Sequence, residues 1–210
     1  LLESWDGAME VDSAAGAIFN VFYTMWQTRV SQERLPAEML GFVGRASGGI
    51  ASRLIDEDPS GWFEANDHKA AVIETFENAL AMLKERYGED INQWAWGKLH
   101  VLTKSHVLDH IGDLGKLLNH PPVGVPGDMI TVGNTGEGPD WTSVSGAGYR
   151  LIHDMGSNPA CMWAVDGQGQ SGHPGSPHYN DQQDDWLNAG YHCIPLSDTP
   201  DPNAVLFTLS

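Results

Sequence analysis

Basic residues are scarce in this chain: 11 Lys and Arg stand against 28 Asp and Glu, a formal charge of −17. A surface of that sign repels phosphate backbones, which excludes a nucleic-acid partner, and it disfavours anionic membranes for the same reason. The acid is spread along the sequence without an acidic tail, the pattern of a solvated surface or of adaptation to a salty medium. Long apolar runs are missing too. None reaches the roughly 18 residues of a membrane-spanning helix, so no membrane partner is expected. Cysteine is limited to Cys161 and Cys193, with no Cys-x-x-Cys pair, which excludes a zinc knuckle or a thioredoxin-type site. A disulfide between the two, as in an exported protein, and two buried free thiols fit the sequence equally.

What is present is enough for a core. Of 210 residues 41% are hydrophobic, and eight are tryptophan. Apolar residues recur at three- and four-residue spacing over 12–30 (Ala14, Ala15, Ile18, Phe19, Phe22, Met25, Trp26), which predicts an amphipathic helix capped by Asp12 or Ser13. A shorter helical stretch over 37–57 is broken at Gly48-Gly49, with a weaker helix from Ala51 to Asp56. Asp58-Pro59-Ser60-Gly61 reads as a turn. The clearest helix is predicted at 67–87, with Val72, Ile73, Phe76, Leu80 and Leu83 on its apolar face and Gly88 as its stop. After residue 90 glycine and proline become frequent, and helical periodicity persists only near 106–118. Strands are predicted at 129–133, 148–153, 161–165 and 204–209, and a surface turn at 195–202. The fold class is therefore α+β, a mainly helical segment 1–90 followed by a β-rich segment 91–210. With no repeat or flexible linker between them, the two are not cut into independent domains.

The residues of greatest interest form one run, Gly169-Gln170-Ser171-Gly172-His173-Pro174-Gly175-Ser176-Pro177-His178-Tyr179-Asn180-Asp181-Gln182. Three glycines and two prolines in these fourteen residues forbid a regular helix or strand, so the run is a shaped loop. Its Ser171 brushes against the Gly-x-Ser-x-Gly nucleophile elbow, but His173 stands where the second glycine belongs, and a strand-turn-helix context is lacking. His106 and His110 have a spacing that places two imidazoles on one helix face. The metalloprotease version needs Glu after the first His, and Val107 stands there. No metal and no cofactor are expected. Trp94 and Trp96 are candidates for a pocket wall, with core packing the commoner use of such rings.

The loop resembles the C-terminal signature of the penicillin amidase family of N-terminal-nucleophile (Ntn) hydrolases, with Gly-Gln-Ser-Gly, a Pro-rich bend, then Ser-Pro-His-Tyr-x-Asp-Gln. Further stretches are similar in the same order. They are Trp5-Asp6-Gly7-Ala8-Met9, Trp94-Ala95-Trp96-Gly97-Lys98-Leu99-His100, His106, Pro122 to Asp128, and Gly148-Tyr149-Arg150-Leu151-Ile152-His153-Asp154. Val107, where the family usually has Pro, and Gly148, where it has a small polar residue, depart from the pattern. The resemblance implies part of an Ntn αββα sandwich, in a periplasmic or secreted protein. It also implies partners: the remainder of a β-subunit and an α-subunit of the same precursor, and a small-molecule amide substrate for the assembly.

In that family catalysis belongs to the first residue of the β-subunit, whose α-amino group is the base for its own side chain. This sequence opens Leu1-Leu2-Glu3, and leucine has no nucleophilic atom. No catalytic residue is therefore expected in this chain, which reads as the C-terminal part of such a subunit and is expected to be inactive alone. By the same resemblance His173, His178, Tyr179, Asp181 and Gln182 hold the loop by hydrogen bonds as a buttress beside the catalytic centre. Asp181 and Gln182 have an alternative use as caps of a helix at Asp181–Asn188. The rival from another class is a non-catalytic acidic binding module derived from the same family.

Overall fold

The computed structural model describes residues 1–43, 47–64, 67–158 and 160–195. Seven α-helices are described: α1 (Ala14–Arg34), α2 (Ala37–Val43), α3 (Gly48–Asp56), α4 (His68–Tyr87), α5 (Trp96–Leu99), α6 (Leu114–Leu118) and α7 (Gln183–Leu187). The strands are β1 (Val101–Leu102), β2 (Val123–Gly124), β3 (Tyr149–Asp154), β4 (Cys161–Asp166) and β5 (His192–Pro195). β1 and β2 form an antiparallel pair, and β3-β4-β5 form an antiparallel sheet in that order. The mixed class read from the sequence is the class observed. The strand predicted at 204–209 and residues 196–202 of the predicted turn lie outside the described residues.

The N-terminal core is built on α1. Of the two proposed caps it is Ser13 that acts, its Oγ accepting from Gly16 N at 2.9 Å. Ser13→Ala is expected to cost about 1 kcal/mol, seen as a lower urea midpoint at unchanged slope. Trp26, fully buried on α1, stacks on Phe63 with centroids 5.4 Å apart and donates its indole N–H to Ala51 O at 2.8 Å. That one side chain therefore joins α1 to α3 and to the turn before α4. α4 packs along α1 through the predicted Leu83 and a row of smaller residues beside the rest of the predicted face. The seam is Ala71, Thr75, Ala79 and Leu83, spaced by four, with Val72, Phe76 and Leu80 half-buried beside it. Ile73 is 59% exposed. Small side chains let two helix backbones approach closely, a preference that a count of large apolar residues does not register.

Residues 9–13 tie this core to the second half. Gly127 N donates to Met9 O (2.8 Å), Gly97 N to Val11 O (2.7 Å) and Trp96 N to Ser13 O (3.1 Å). Gly97 must be glycine, because a Cβ there would overlap the Val11 side chain and lie 3.1 Å from Val11 O. The smaller C-terminal core contains Val125, Val165 and Trp186, flanked by Leu102, Val123, Leu187 and Tyr191.

Two sequence expectations fail for local reasons, and one strand goes beyond them. Residues 129–133 are bends and a turn, not a strand, because the buried Asp128 carboxylate takes the N–H groups of Ile130 (2.8 Å) and Thr131 (3.0 Å). A nearby acceptor of this kind competes with a β-ladder. Within 106–118 only Leu114–Leu118 is helical. His106 Nδ1 accepts from Leu108 N at 3.1 Å and Gly112 has φ +54°, so His106 and His110 share no helix face. β5 was not foreseen, since four residues ending in proline carry little pattern. It joins the sheet through the pairs Trp163↔Cys193 and Cys161↔Pro195, which sets Cys161 and Cys193 diagonally on one face. They form a disulfide with S–S 2.05 Å and Cα–Cα 6.1 Å, so of the two thiol states the sequence allowed, the bonded one is adopted.

Candidate functional site

The loop Gly169–Gln182 leaves the end of β4 and returns into α7. Its neck is closed by backbone and side chain together. Gln182 N donates to Gln168 O, and Gln182 Oε1 accepts from Asp166 N, both at 2.8 Å. One turn further out Ser171 N donates to His178 O at 2.9 Å. Gly169 sits inside this neck. A Cβ on it would collide with His178 O and lie 2.6 Å from Asp181 Oδ1. The tip is held by short-range bonds, His173 N to Ser171 Oγ (3.1 Å), Ser176 N to His173 O (2.9 Å) and His178 N to Ser176 Oγ (3.1 Å).

The five loop residues singled out from the sequence fall into two groups. Tyr179 and Gln182 hold the loop to the rest of the fold. The Tyr179 hydroxyl donates to Leu118 O at the end of α6, and its ring stacks on buried His120, centroids 4.4 Å apart and planes at 12°. Burial, with the Lys104 ammonium nearby, holds His120 below the usual histidine range. His173, His178 and Asp181 face solvent. His173 Nδ1 accepts from Gly175 N at 2.9 Å, and His178 Nδ1 pairs with Asp181 Oδ2 at 2.7 Å. These two are local contacts that shape the loop. Gln182 stands at the N-cap position of α7, but its side chain goes to Asp166 instead of capping, and Asp181 is taken by His178.

Among the described residues no serine hydroxyl of the loop bonds a histidine ring, and no three His, Cys, Asp or Glu side chains form a metal-binding group. The loop is held as a structural unit by these hydrogen bonds.

Trp94 and Trp96 do not stand on an open wall. They are 5% and 0% exposed, with indole N–H groups donating to Gly88 O and Gly127 O, both at 2.8 Å. The Trp96 ring lies flat on His100, centroids 4.6 Å apart. His100 is itself fully buried between Trp141 O (2.7 Å) and Thr135 Oγ1 (3.2 Å). Core packing, the commoner use of such rings, is what the pocket-wall expectation gives way to.

Sequence reasoning missed a stack next to the loop neck. Two cations lie over the Trp186 ring of α7, Lys104 at 5.3 Å and Arg150 at 4.4 Å from its centroid. Its indole N–H donates to Ala147 O (2.8 Å), and Arg150 Nη1 donates to Trp186 O (2.9 Å). These residues come from three distant stretches, and no spacing signals their meeting. No described helix is long and apolar enough to cross a membrane.

Known proteins are similar to this chain in sequence and in fold. The penicillin amidase family model matches residues 1–201. An acyl-homoserine lactone acylase, QuiP, of Pseudomonas aeruginosa is 28% identical over 222 aligned positions, covering 93% of this chain and 26% of that protein. Penicillin acylase 2 proenzyme of a Pseudomonas species is 27% identical, covering 88% of this chain and 24% of its own length. The chain thus spans about a quarter of these curated relatives. Among solved structures, a thermostable penicillin G acylase from Alcaligenes faecalis superposes on all of this chain with a TM-score of 0.57 at 14% identity, over 42% of that molecule. At that identity the likeness concerns the fold, which is the Ntn-hydrolase fold. With the family pattern running in order over almost the whole sequence, the chain belongs to the penicillin amidase family.

Proposed function

We propose that these residues are the C-terminal, scaffold-forming part of the β-subunit of an amidohydrolase that cleaves N-acyl amides. Acyl-homoserine lactones and penicillins are the substrate classes in view. The observation that carries this reading is the family match over residues 1–201, with acyl-homoserine lactone acylases among the relatives. The chemistry is that of the family: an N-terminal nucleophile attacks the amide carbonyl, its own amine passes the proton to the leaving nitrogen as the C–N bond breaks and the amine departs, and water then cleaves the acyl-enzyme to release the acid. No described group of this chain has that part. Its own contribution is to complete the fold and to hold the loop Gly169–Gln182 rigid.

The remainder of the β-subunit and an α-subunit are the proposed partners. One face of the β3-β4-β5 sheet supports this, because Tyr149, Leu151 and Ile194 lie on it about half exposed. A periplasmic or secreted location is supported by the disulfide, which persists in oxidising compartments.

The test uses the assembled protein that carries this chain. Incubated with N-acyl-homoserine lactones of graded chain length and with an N-acyl aminopenicillin, it is expected to release free amine and carboxylic acid, followed by chromatography. The isolated 210 residues are expected to release none. Failure of the assembly on every substrate, or turnover by the isolated chain, would overturn the proposal.

A further inference from the structure

His120 sits where three stretches meet. It follows the end of α6 by two residues, its backbone N–H donates to Lys104 O at 3.2 Å, and its ring stacks on Tyr179 of the loop. The Tyr179 hydroxyl donates to Leu118 O, two residues before His120. Ring and hydroxyl of Tyr179 are therefore held by the same short stretch, 118–120. This contact fastens one side of the loop, and the neck bonds of Gln182 to Gln168 and Asp166 fasten the other.

The His120 site is built for a neutral ring. The residue is 5% exposed, and its Nδ1 is buried with no hydrogen-bond partner among the described residues. With the ring proton on Nε2, Nδ1 is only an unused acceptor. Protonation makes both ring nitrogens donors, and a buried donor with nothing to receive its proton is costly. The Lys104 ammonium repels an imidazolium at the same place.

No neighbouring carboxylate offsets that repulsion. The histidine–carboxylate pairs among the described residues are His178–Asp181 and His192–Asp185. On the stretches packed against the ring the other titratable groups have their own partners. Lys116 of α6 pairs with Asp113 at 2.8 Å, and His106 Nδ1 accepts from Leu108 N at 3.1 Å. Asp166, beside Lys104, accepts from Gln170 Nε2 at 3.0 Å. The face of the Tyr179 ring is the one contact that suits a cation. Against it stand burial, the Lys104 charge and the Nδ1 proton without an acceptor.

We propose that His120 is an acid-sensitive latch on the loop 169–182: the neutral ring holds Tyr179 against 118–120, and the protonated ring leaves the stack and releases that side of the loop while the neck stays closed. An imidazolium regains its hydration by leaving the buried site, and Tyr179 then loses its stacking partner. Burial and Lys104 hold His120 below its ordinary value in the folded state, so the released ring binds the proton more readily than the stacked one. The latch is therefore complete above the ordinary histidine value of about 6.5 and weakens as pH falls below it. It is read by hydrogen exchange and not by turnover, so it stands or falls apart from the amidohydrolase reading.

Protection factors for amide exchange in the assembled protein at pH 7 and pH 5 test the latch. The His120 and Tyr179 amides are expected to lose at least threefold in protection at pH 5, while the neck amide of Gln182 and the amides of α1 keep theirs. His120→Phe keeps a ring for the stack and cannot titrate, so its protection at Tyr179 is expected to be the same at both pH values. His178→Asn removes the paired histidine of the loop and is expected to leave the drop intact. Lys104→Met removes a charge that opposes protonation and is expected to shrink it. In the parent itself the His120 imidazole, followed by NMR, is expected to titrate below its ordinary value. A midpoint at or above that value, equal protection at the two pH values, a drop shared equally by α1, or a drop of parental size in His120→Phe would each overturn the proposal.

Discussion

Gly169→Ala is expected to destabilise the protein by about 3 kcal/mol and to open the neck of the loop, because overpacking against backbone leaves no rotamer to relax. The new Cβ would collide with His178 O and sit 2.6 Å from Asp181 Oδ1. Relief requires the His178 carbonyl to move, which breaks the bond it accepts from Ser171 N, and the Gln168–Gln182 closure lies next to it. Gly172, three residues on, supplies the control: a Cβ there meets nothing within 4 Å, so Gly172→Ala is expected to stay within about 0.5 kcal/mol of the parent. Hydrogen exchange at the Ser171 and Gln182 amides separates the cases. Both lose protection in Gly169→Ala and keep it in Gly172→Ala, and unchanged protection in Gly169→Ala would show that the neck does not hold the loop. If the loop buttresses a catalytic centre in the assembled protein, Gly169→Ala also lowers hydrolysis, where Gly172→Ala does not.

The loop shows how much of this molecule is legible in its sequence. Glycine and proline density alone placed a rigid turn at 169–182, and the family pattern marked Tyr179 and Gln182 beside His178 and Asp181. What each does depends on residues far along the chain: Tyr179 reaches Leu118 and His120, and Gln182 reaches Asp166. Local periodicity located α1 and α4 to within a few residues, since each is long and well bounded, by Ser13 and by Gly88. It failed where a single side chain overrides the backbone preference, as Asp128 does for 129–133. It failed again where packing favours small residues, as at Ala71 and Ala79. The Lys104–Trp186–Arg150 stack was beyond reach, because tertiary contact alone creates it.

Removing the disulfide is expected to have the largest effect on stability of any change described. Cys161 and Cys193 are 32 residues apart, and closing a loop of that length restricts the unfolded chain by about 3.5–4 kcal/mol of conformational free energy. The double variant Cys161→Ser, Cys193→Ser should therefore lose about that amount, read as a fall in urea midpoint. The same span contains the loop, α7 and Trp186, so the bond also limits how far β5 and the returning chain can stray from β4. Among the described residues β5 pairs only with β4, over four residue pairs, and its own side chains are exposed. It has little apolar burial to hold it once the covalent link is gone. Two outcomes are thereby distinguished. If the bond acts through the unfolded chain, the native hydrogen-exchange pattern of β5 survives in the double variant under stabilising conditions while the midpoint falls. If it acts by pinning a weakly packed edge, Ile194 loses amide protection first, with β3 and β4 still protected. The four-pair ladder and the exposure of Ile194 favour the second course. A double variant with parental midpoint and parental β5 protection would show that neither effect operates.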